Sequence, residues 1–327
     1  MKAVLVDGFG GPEVLEIAEI PKPEPGPDQI LIHVAATSVN RPDLMQREGR
    51  YPPPPGESAV LGLELAGTVE ALGAEVDGFE RGERVFALVG GGGYAEYALA
   101  HTGHVMRIPV RLSFEEAACI CETYITAFMN LFLGARLKSG ESALLHGGGG
   151  GVNTAAIQLC KALNPTGPVF VTASTAKVDR VAALGADRVI DYKHDDFAAV
   201  VLAATEGRGV DVILDHIGAA YFASNLKALA LNGRLAIIAT ISGREVTLDL
   251  ARLMIKRQTI MGSVLRSRPV AEKAAIIREF ERTVLPLFAD RTIAPVIDSV
   301  LPIEDVAEAH RRMEASLHFG KIVLKFG

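Results

Sequence analysis

The stretch Ala143-Leu144-Leu145-His146-Gly147-Gly148-Gly149-Gly150-Gly151-Val152-Asn153 decides how this chain is read. A short apolar run, Ala143–Leu145, gives way to five consecutive glycines, and a helical segment, Thr154–Leu163, follows. Glycine is needed where a chain must turn sharply and bring bare backbone against a pyrophosphate. The helix behind such a turn offers free N–H groups and the positive end of its dipole to that anion. Glycine strings also serve as flexible linkers, but a linker does not sit between a buried strand and an amphipathic helix. Gly148, Gly150, Gly151, Val152 and Asn153 are therefore the first candidate cofactor contacts. The dinucleotide fingerprint is imperfect here, because Gly148-x-Gly150-x-x should end in Gly or Ala and ends in Asn153. Either the helix shifts slightly or the Asn153 amide touches the cofactor.

Working outward, apolar strands alternate with helical segments beyond residue 122. Val152–Leu163 follows the first strand; then come Val169–Thr172 and Ala176–Leu184, Arg188–Ile190 and Phe197–Ala204, Val210–Leu214 and Tyr221–Leu231, and Arg234–Ala239. That alternation predicts a parallel sheet covered on both faces. The first 120 residues read differently, as short β-rich runs: Lys2–Val6, Leu15–Ile20, Gln29–Val34, Leu65–Ala71, Arg84–Leu88 and Tyr94–Leu99. Proline-dense stretches such as 21–27 and 49–56 separate them and must be loops or edges. After residue 264 the chain carries helical segments Val270–Thr283 and Ile303–Glu314 and ends in a strand-like Lys321–Phe326. The fold class is thus α/β: a Rossmann-type doubly wound parallel sheet, residues 122–263, inserted in a mainly β domain made of 1–121 plus 264–327.

Composition excludes several classes. The 327 residues carry 33 basic and 39 acidic side chains with no basic run, which argues against a nucleic-acid or anionic-membrane partner. At 49% apolar and 22% charged the chain is neither low-complexity nor disordered. Cys119, Cys121 and Cys160 cannot build a disulfide framework, and the N-terminus reads as a strand and not as a signal sequence. The uncharged run Ser142–Cys160 is too rich in glycine and polar residues to span a membrane. A cytoplasmic location is expected.

The strand Val169–Thr172 runs into Ala173-Ser174-Thr175-Ala176-Lys177. An NAD site would place a carboxylate here for the ribose 2′-hydroxyl. A hydroxyl and an ammonium suit a 2′-phosphate instead, so Ser174 and Lys177 are read as NADPH contacts. The alternative is an ordinary N-cap serine beside a solvated lysine.

These features accompany motifs spread over the whole chain. They include Val39-Asn40-Arg41-Pro42-Asp43-Leu44-Met45-Gln46-Arg47, Gly49-Arg50-Tyr51, Leu61-Gly62-Leu63-Glu64-Leu65-Ala66-Gly67 and Thr126-Ala127. Further matches are Thr154-Ala155-Ala156-Ile157-Gln158-Leu159, Asp191-Tyr192-Lys193 and Gly320-Lys321-Ile322-Val323-Leu324. On them the chain resembles the quinone oxidoreductase (zeta-crystallin-like) branch of the medium-chain dehydrogenase/reductase superfamily, especially the tumour-suppressor-inducible quinone oxidoreductase subfamily. The resemblance implies that the β domain is GroES-like, with the site in the cleft between the domains. It places Asn40, Tyr51 and Thr126 beside nicotinamide and substrate, as candidate catalytic residues. It also implies cofactor contacts at Val152, Tyr192, Ile217, Thr240, Leu265 and Lys321. Asn40 alternatively forms an Asx-turn, Tyr51 is alternatively a surface tyrosine, and Thr126 alternatively bonds back to a helix carbonyl.

Zinc-dependent relatives place a cysteine near Ser38, Gly-His-Glu where Gly62-Leu63-Glu64 stands, and a further cysteine near Glu122. A hydroxyl and an aliphatic side chain are poor zinc ligands, so no metal is expected. Glu64 then reads as a paired structural carboxylate. The subfamily also has a serine at the position of Gly150, which puts substrate size in question. Quinone reduction suits a site without a metal, because the product charge spreads onto an aromatic oxyanion. The expected function is a zinc-independent NADPH:quinone oxidoreductase acting on a small-molecule quinone. Two alternatives are an NADPH-dependent reductase of activated C=C bonds in enones or enals, and an NADPH-binding protein with little turnover. The family further implies a homodimer joined through sheet edges near Thr259–Leu265.

Overall fold

Strand Gln29–Ser38 shows why the N-terminal region folds as it does. Its Ile30, Ile32 and Val34 on one face and Leu31 on the other are all buried, so it must lie inside a sheet. The computed structural model describes residues 1–327 and divides into two units, Met1–Ile125 with Leu265–Gly327 and Thr126–Val264. In the first unit the strands are β1 (Lys2–Val6), β2 (Leu15–Glu19), β3 (Gln29–Ser38), β4 (Glu64–Leu72), β5 (Arg84–Leu88), β6 (Tyr97–His101) and β7 (Val105–Arg107). β3 pairs antiparallel with both β4 and β6, and register shifts in β3 bend it along β4. Gly67 of β4 is required at that crossing, since a Cβ there would lie 2.0 Å from the His33 carbonyl oxygen. Helices α1 (Arg41–Arg47) and α2 (Phe114–Ala117) belong to this unit, and α3 (Cys121–Phe128) follows them.

The second unit contains β8 (Ala143–His146), β9 (Val169–Ala173), β10 (Arg188–Asp191), β11 (Val210–Asp215), β12 (Leu229–Ile237) and β13 (Thr259–Gly262). Their order is β10-β9-β8-β11-β12-β13, and every pairing is parallel. This is a Rossmann sheet, whose order reverses beside β8, so ligands are expected outside the carboxyl ends of its strands. Helices α4 (Gly151–Leu163), α5 (Val178–Ala183), α6 (Phe197–Ala204), α7 (Ala219–Ala228) and α8 (Leu250–Ile255) connect it. Leu144, Phe170, Ile190, Phe197, Val201, Ile213, Phe222 and Leu226 form one of its cores.

The chain then returns to the first unit with α9 (Val270–Thr283), α10 (Leu285–Ala289), β14 (Ile297–Pro302), α11 (Val306–Glu314) and β15 (Lys321–Lys325). β15 pairs with β3, which inserts the C-terminal strand into the GroES-like sheet, and β14 lies parallel on its outer side. One sequence expectation is corrected. The segment Tyr221–Leu231 was expected to be helical throughout, but α7 stops at Ala228 and Leu229 already belongs to β12. Leu229 and Ala230 are buried in the sheet, and that burial overrides a helix-favouring sequence. No helix is long and apolar enough to cross a membrane.

Candidate functional site

In the second unit the turn after β8 is built as a phosphate cradle is built. Gly147 adopts φ 77°, a left-handed conformation that side chains rarely tolerate, and its N–H and that of Gly148 donate to the Thr172 carbonyl of β9. A Cβ at Gly148 would lie 2.5 Å from Val171 Cγ1, so bare backbone is needed for the turn to pack on the sheet. Gly150 is the N-cap of α4, and Gly151 and Val152 open this 13-residue helix. Asn153, expected as a possible cofactor contact, has its side chain turned inward and is 1% exposed. Its Nδ2 donates to the His146 carbonyl at 2.5 Å and lies 3.3 Å from that of Gly147. The amide thus pins the turn from beneath, where the fingerprint would have a small residue.

A buried chain of hydrogen bonds supports the same turn. Gly147 N–H donates to Thr172 Oγ1 (3.1 Å), whose hydroxyl faces His146 Nδ1 (3.1 Å). His146 Nε2 donates to Asn225 Oδ1 (2.7 Å), and Asn225 Nδ2 donates to Asp215 Oδ2 (3.2 Å). The Asp215 carboxylate also receives the N–H groups of Ile217 and Gly218. Burial pushes the His146 pKa down to about 3, so the ring is neutral and its two nitrogens play opposite roles. Burial also raises the Asp215 pKa, to about 6, despite those three donors. The chain segments at the ends of β8, β9 and β11 are thereby tied together.

Apart from Thr126, the remaining candidates of this unit lie on the connections after its strands. Lys177 reaches back over the glycines: a Cβ at Gly149 would fall 2.4 Å from its Cδ and 3.3 Å from its Nζ. Ser174 opens the turn after β9 in the N-cap position, with no side-chain cap bond to it. Tyr192 follows β10 and is 43% exposed, with its N–H on the Ala173 carbonyl. Ile217 follows β11 and its carbonyl accepts from Ser242 N–H; Thr240, exposed, follows β12 in the same loop pair. Thr126 belongs to α3. The threonine that bonds back to a carbonyl there is Thr123, to Cys119 at 2.9 Å.

In the first unit a second cluster forms where β3, β4, β15, α1 and α3 meet. Glu64, fully buried, accepts at Oε1 from Ser38 Oγ (2.6 Å), Asn40 Nδ2 (2.9 Å) and Lys321 Nζ (3.0 Å), and at Oε2 from Glu122 N–H (2.9 Å). Lys321 Nζ also donates to the Val39 carbonyl (3.0 Å) and to Asn40 Oδ1 (2.5 Å). Both expected contacts, Asn40 and Lys321, are therefore engaged with Glu64 and nearly inaccessible, at 4% and 3% exposure. Asn40 is the N-cap of α1, its N–H donating to Asp43 Oδ2, while its side-chain amide donates to the Ser38 carbonyl and to Glu64 and its Oδ1 accepts from Lys321. Leu265 is likewise buried, at 5%. Tyr51 is half-buried, its ring beneath the Arg266 guanidinium at 5.2 Å and its carbonyl accepting from Arg266 Nη1. Burial raises its pKa, with the nearby Glu122 charge adding to the effect.

Sequence reading passed over Glu122 and Arg266. Glu122 stands where metal-dependent relatives carry a ligand, and that was the available signal. Burial and then the Glu64 charge push its carboxyl up to about 8. No three His, Cys, Asp or Glu side chains are placed to hold a metal ion. At the position in question stand Ser38, Leu63 and Glu122, with the Lys321 ammonium among them, and this set does not fit zinc.

Two expectations test this geometry. Gly150→Ser should fold normally and gain up to about 0.5 kcal/mol as an N-cap, because only the Gly147 carbonyl lies within 4 Å of the new Cβ, at 3.6 Å; thermal unfolding reads it. Lys321→Met should cost about 3–5 kcal/mol by leaving Glu64 buried and unpaired. The double variant Lys321→Met/Glu64→Gln should recover a large part of that loss in the same assay.

Comparison with known proteins bears on the family. Residues 26–110 match the alcohol dehydrogenase GroES-like domain and residues 184–324 match the zinc-binding dehydrogenase family. The chain is 36% identical to a quinone oxidoreductase of Lama guanicoe, over 99% of this chain and 97% of the relative. Among solved structures, an NAD-dependent alcohol dehydrogenase superposes with a TM-score of 0.88 at 35% identity, all of both chains being covered. A mycobacterial protein solved in complex with NADPH gives 0.87 at 31% identity, over 99% of each chain. The chain belongs to the quinone oxidoreductase (zeta-crystallin-like) branch of the medium-chain dehydrogenase/reductase superfamily.

Proposed function

We propose that this protein is a zinc-independent, NADPH-dependent oxidoreductase that reduces quinones. The observation that carries the cofactor choice is the Lys177 side chain lying across the bare face of Gly149, with no acidic residue in the segment 173–177 itself; the Asp191 carboxylate comes from neighbouring β10, beside Ala173, and is bonded by Thr175. An ammonium over the glycine turn attracts a phosphate-rich ligand. Gly148, Gly150 and Gly151 would hold the pyrophosphate with backbone N–H groups and the dipole of α4. Val152, Ser174, Tyr192, Ile217 and Thr240 would line the rest of the nucleotide. When bound, the nucleotide supplies hydride. Asn153 acts from below, by fixing the turn.

In the other unit Tyr51 would face the acceptor, a planar ring that an aromatic side chain can stack upon. Asn40 and Lys321 would shape that surface through Glu64, and Thr126 would pack near the nicotinamide. The poor fit to zinc supports acceptors that need no Lewis acid, quinones first among them. A second reading, reduction of activated C=C bonds, is favoured by Glu122, because such a product needs a proton at carbon and this carboxyl stays protonated at neutral pH. The homodimer is part of the proposal. β13 is an edge strand, and exposed Ile241, Leu250, Met254, Ile255 and Val264 lie in the sequence around it.

The test is one titration series followed by turnover. NADPH should bind the wild type at least about tenfold more tightly than NADH, and Lys177→Ala should lose about tenfold for NADPH and little for NADH, the size of one charge-assisted hydrogen bond. Quinones and enones are then offered with NADPH. An unchanged nucleotide preference in Lys177→Ala removes the cofactor assignment, and turnover of enones alone selects the second reading. Sedimentation at a single chain mass would remove the dimer.

A further inference from the structure

In the glycine turn of the second unit, the bare face of Gly147 is covered by His216. This residue follows Asp215 at the end of β11 and is half-buried. A Cβ at Gly147 would fall 2.7 Å from its Nε2 and 2.8 Å from its Cε1, so that edge of the ring fills the space glycine leaves. The segment carrying the ring is held on both sides. Asp215 takes the N–H groups of Ile217 and Gly218, and the His216 carbonyl takes the Ile241 N–H. All of these groups belong to the second unit.

The other ring nitrogen shows which atom carries the hydrogen. Asn153 Nδ2 lies 3.3 Å from His216 Nδ1. The same Nδ2 donates to the His146 carbonyl and faces the Gly147 carbonyl. That fixes the amide, because reversing it would set Oδ1 against two carbonyl oxygens. Toward His216 the amide is therefore a donor, and Nδ1 must accept. A doubly protonated ring would oppose two N–H groups at this contact. The ring that fits is neutral, with its hydrogen on Nε2, the nitrogen lying against Gly147. Gly147 spends its own N–H on Thr172, so at this residue the turn keeps no backbone donor and the imidazole supplies one.

We propose that His216 is a nucleotide-binding residue whose Nε2–H donates to a diphosphate oxygen, its Nδ1 being held by Asn153. The proposal rests on the functional reading above and adds a side-chain donor to that site. A hydrogen bond to an ionised oxygen is stronger than one between neutral groups, so one such donor is measurable in affinity. The diphosphate is common to NADPH and NADH. His216 therefore strengthens both alike, whereas Lys177 is read as favouring NADPH.

Two measurements test this. Ring nitrogen-15 spectra of the wild type without nucleotide, at alkaline pH, should show His216 with its hydrogen on Nε2, assigned by the signal that His216→Phe lacks. Nucleotide titration then compares two variants. His216→Phe keeps the ring and removes the donor, and should lose about tenfold in affinity for NADPH and for NADH alike. His216→Gln, whose amide nitrogen reaches as far as Nε2, should stay within about threefold of wild type for both. A hydrogen on Nδ1, His216→Phe binding both nucleotides as the wild type does, or His216→Gln losing as much as His216→Phe overturns the proposal while the functional reading stands. A wild type that binds neither nucleotide overturns that reading, and this role of His216 with it, whichever nitrogen carries the hydrogen.

Discussion

Much of the first unit depends on one buried ion pair, the Lys321 ammonium 3.0 Å from Glu64 Oε1. In a low-dielectric interior such a pair is tolerated only when every remaining donor and lone pair is satisfied. Here the ammonium has three acceptors and the carboxylate four donors. Those partners come from β3, β4, β15, α1 and α3, so satisfying one pair fixes the ends of five elements. Chain segments more than two hundred residues apart meet there, which makes the C-terminal strand part of the cluster and not an appendage.

The second unit solves a comparable problem with neutral groups. Thr172, His146, Asn225 and Asp215 form a chain in which each donor finds an acceptor, and its far end holds the N–H groups of Ile217 and Gly218. A neutral histidine is essential to that order of donors, and burial keeps it neutral. Asn153 completes the scaffold from the α4 side. A glycine turn is permissive by itself. The polar groups beneath it make it rigid enough to present backbone N–H groups in one arrangement.

In both units the side chains that set the geometry are mostly hidden, and a few polar side chains of the candidate site keep exposed surface. Asn40, Lys321 and Asn153 belong to the first kind, whereas Tyr51, Lys177, Tyr192 and Glu122 retain exposed surface. The division has a physical reason. A buried polar group left without a partner costs about 1–3 kcal/mol, so most buried groups here are committed to internal bonds; Asn153 Oδ1 is an exception, without a partner although its Nδ2 is bonded.

The sequence by itself determined the parallel sheet, the glycine turn and its position before a helix, because periodicity and backbone freedom are local properties. It also determined the family, through motifs such as Gly49-Arg50-Tyr51 and Gly320-Lys321-Ile322 that survive as short strings. Where α7 gives way to β12 was not legible, since burial of Leu229 overrode its local preference. Nor was the inward turn of Asn153, or the engagement of Lys321 and Asn40 with Glu64. Those outcomes belong to the tertiary structure alone. Whether a polar side chain faces a ligand or its own protein depends on which donors and acceptors distant segments bring within about 3 Å, and no spacing along the chain records that.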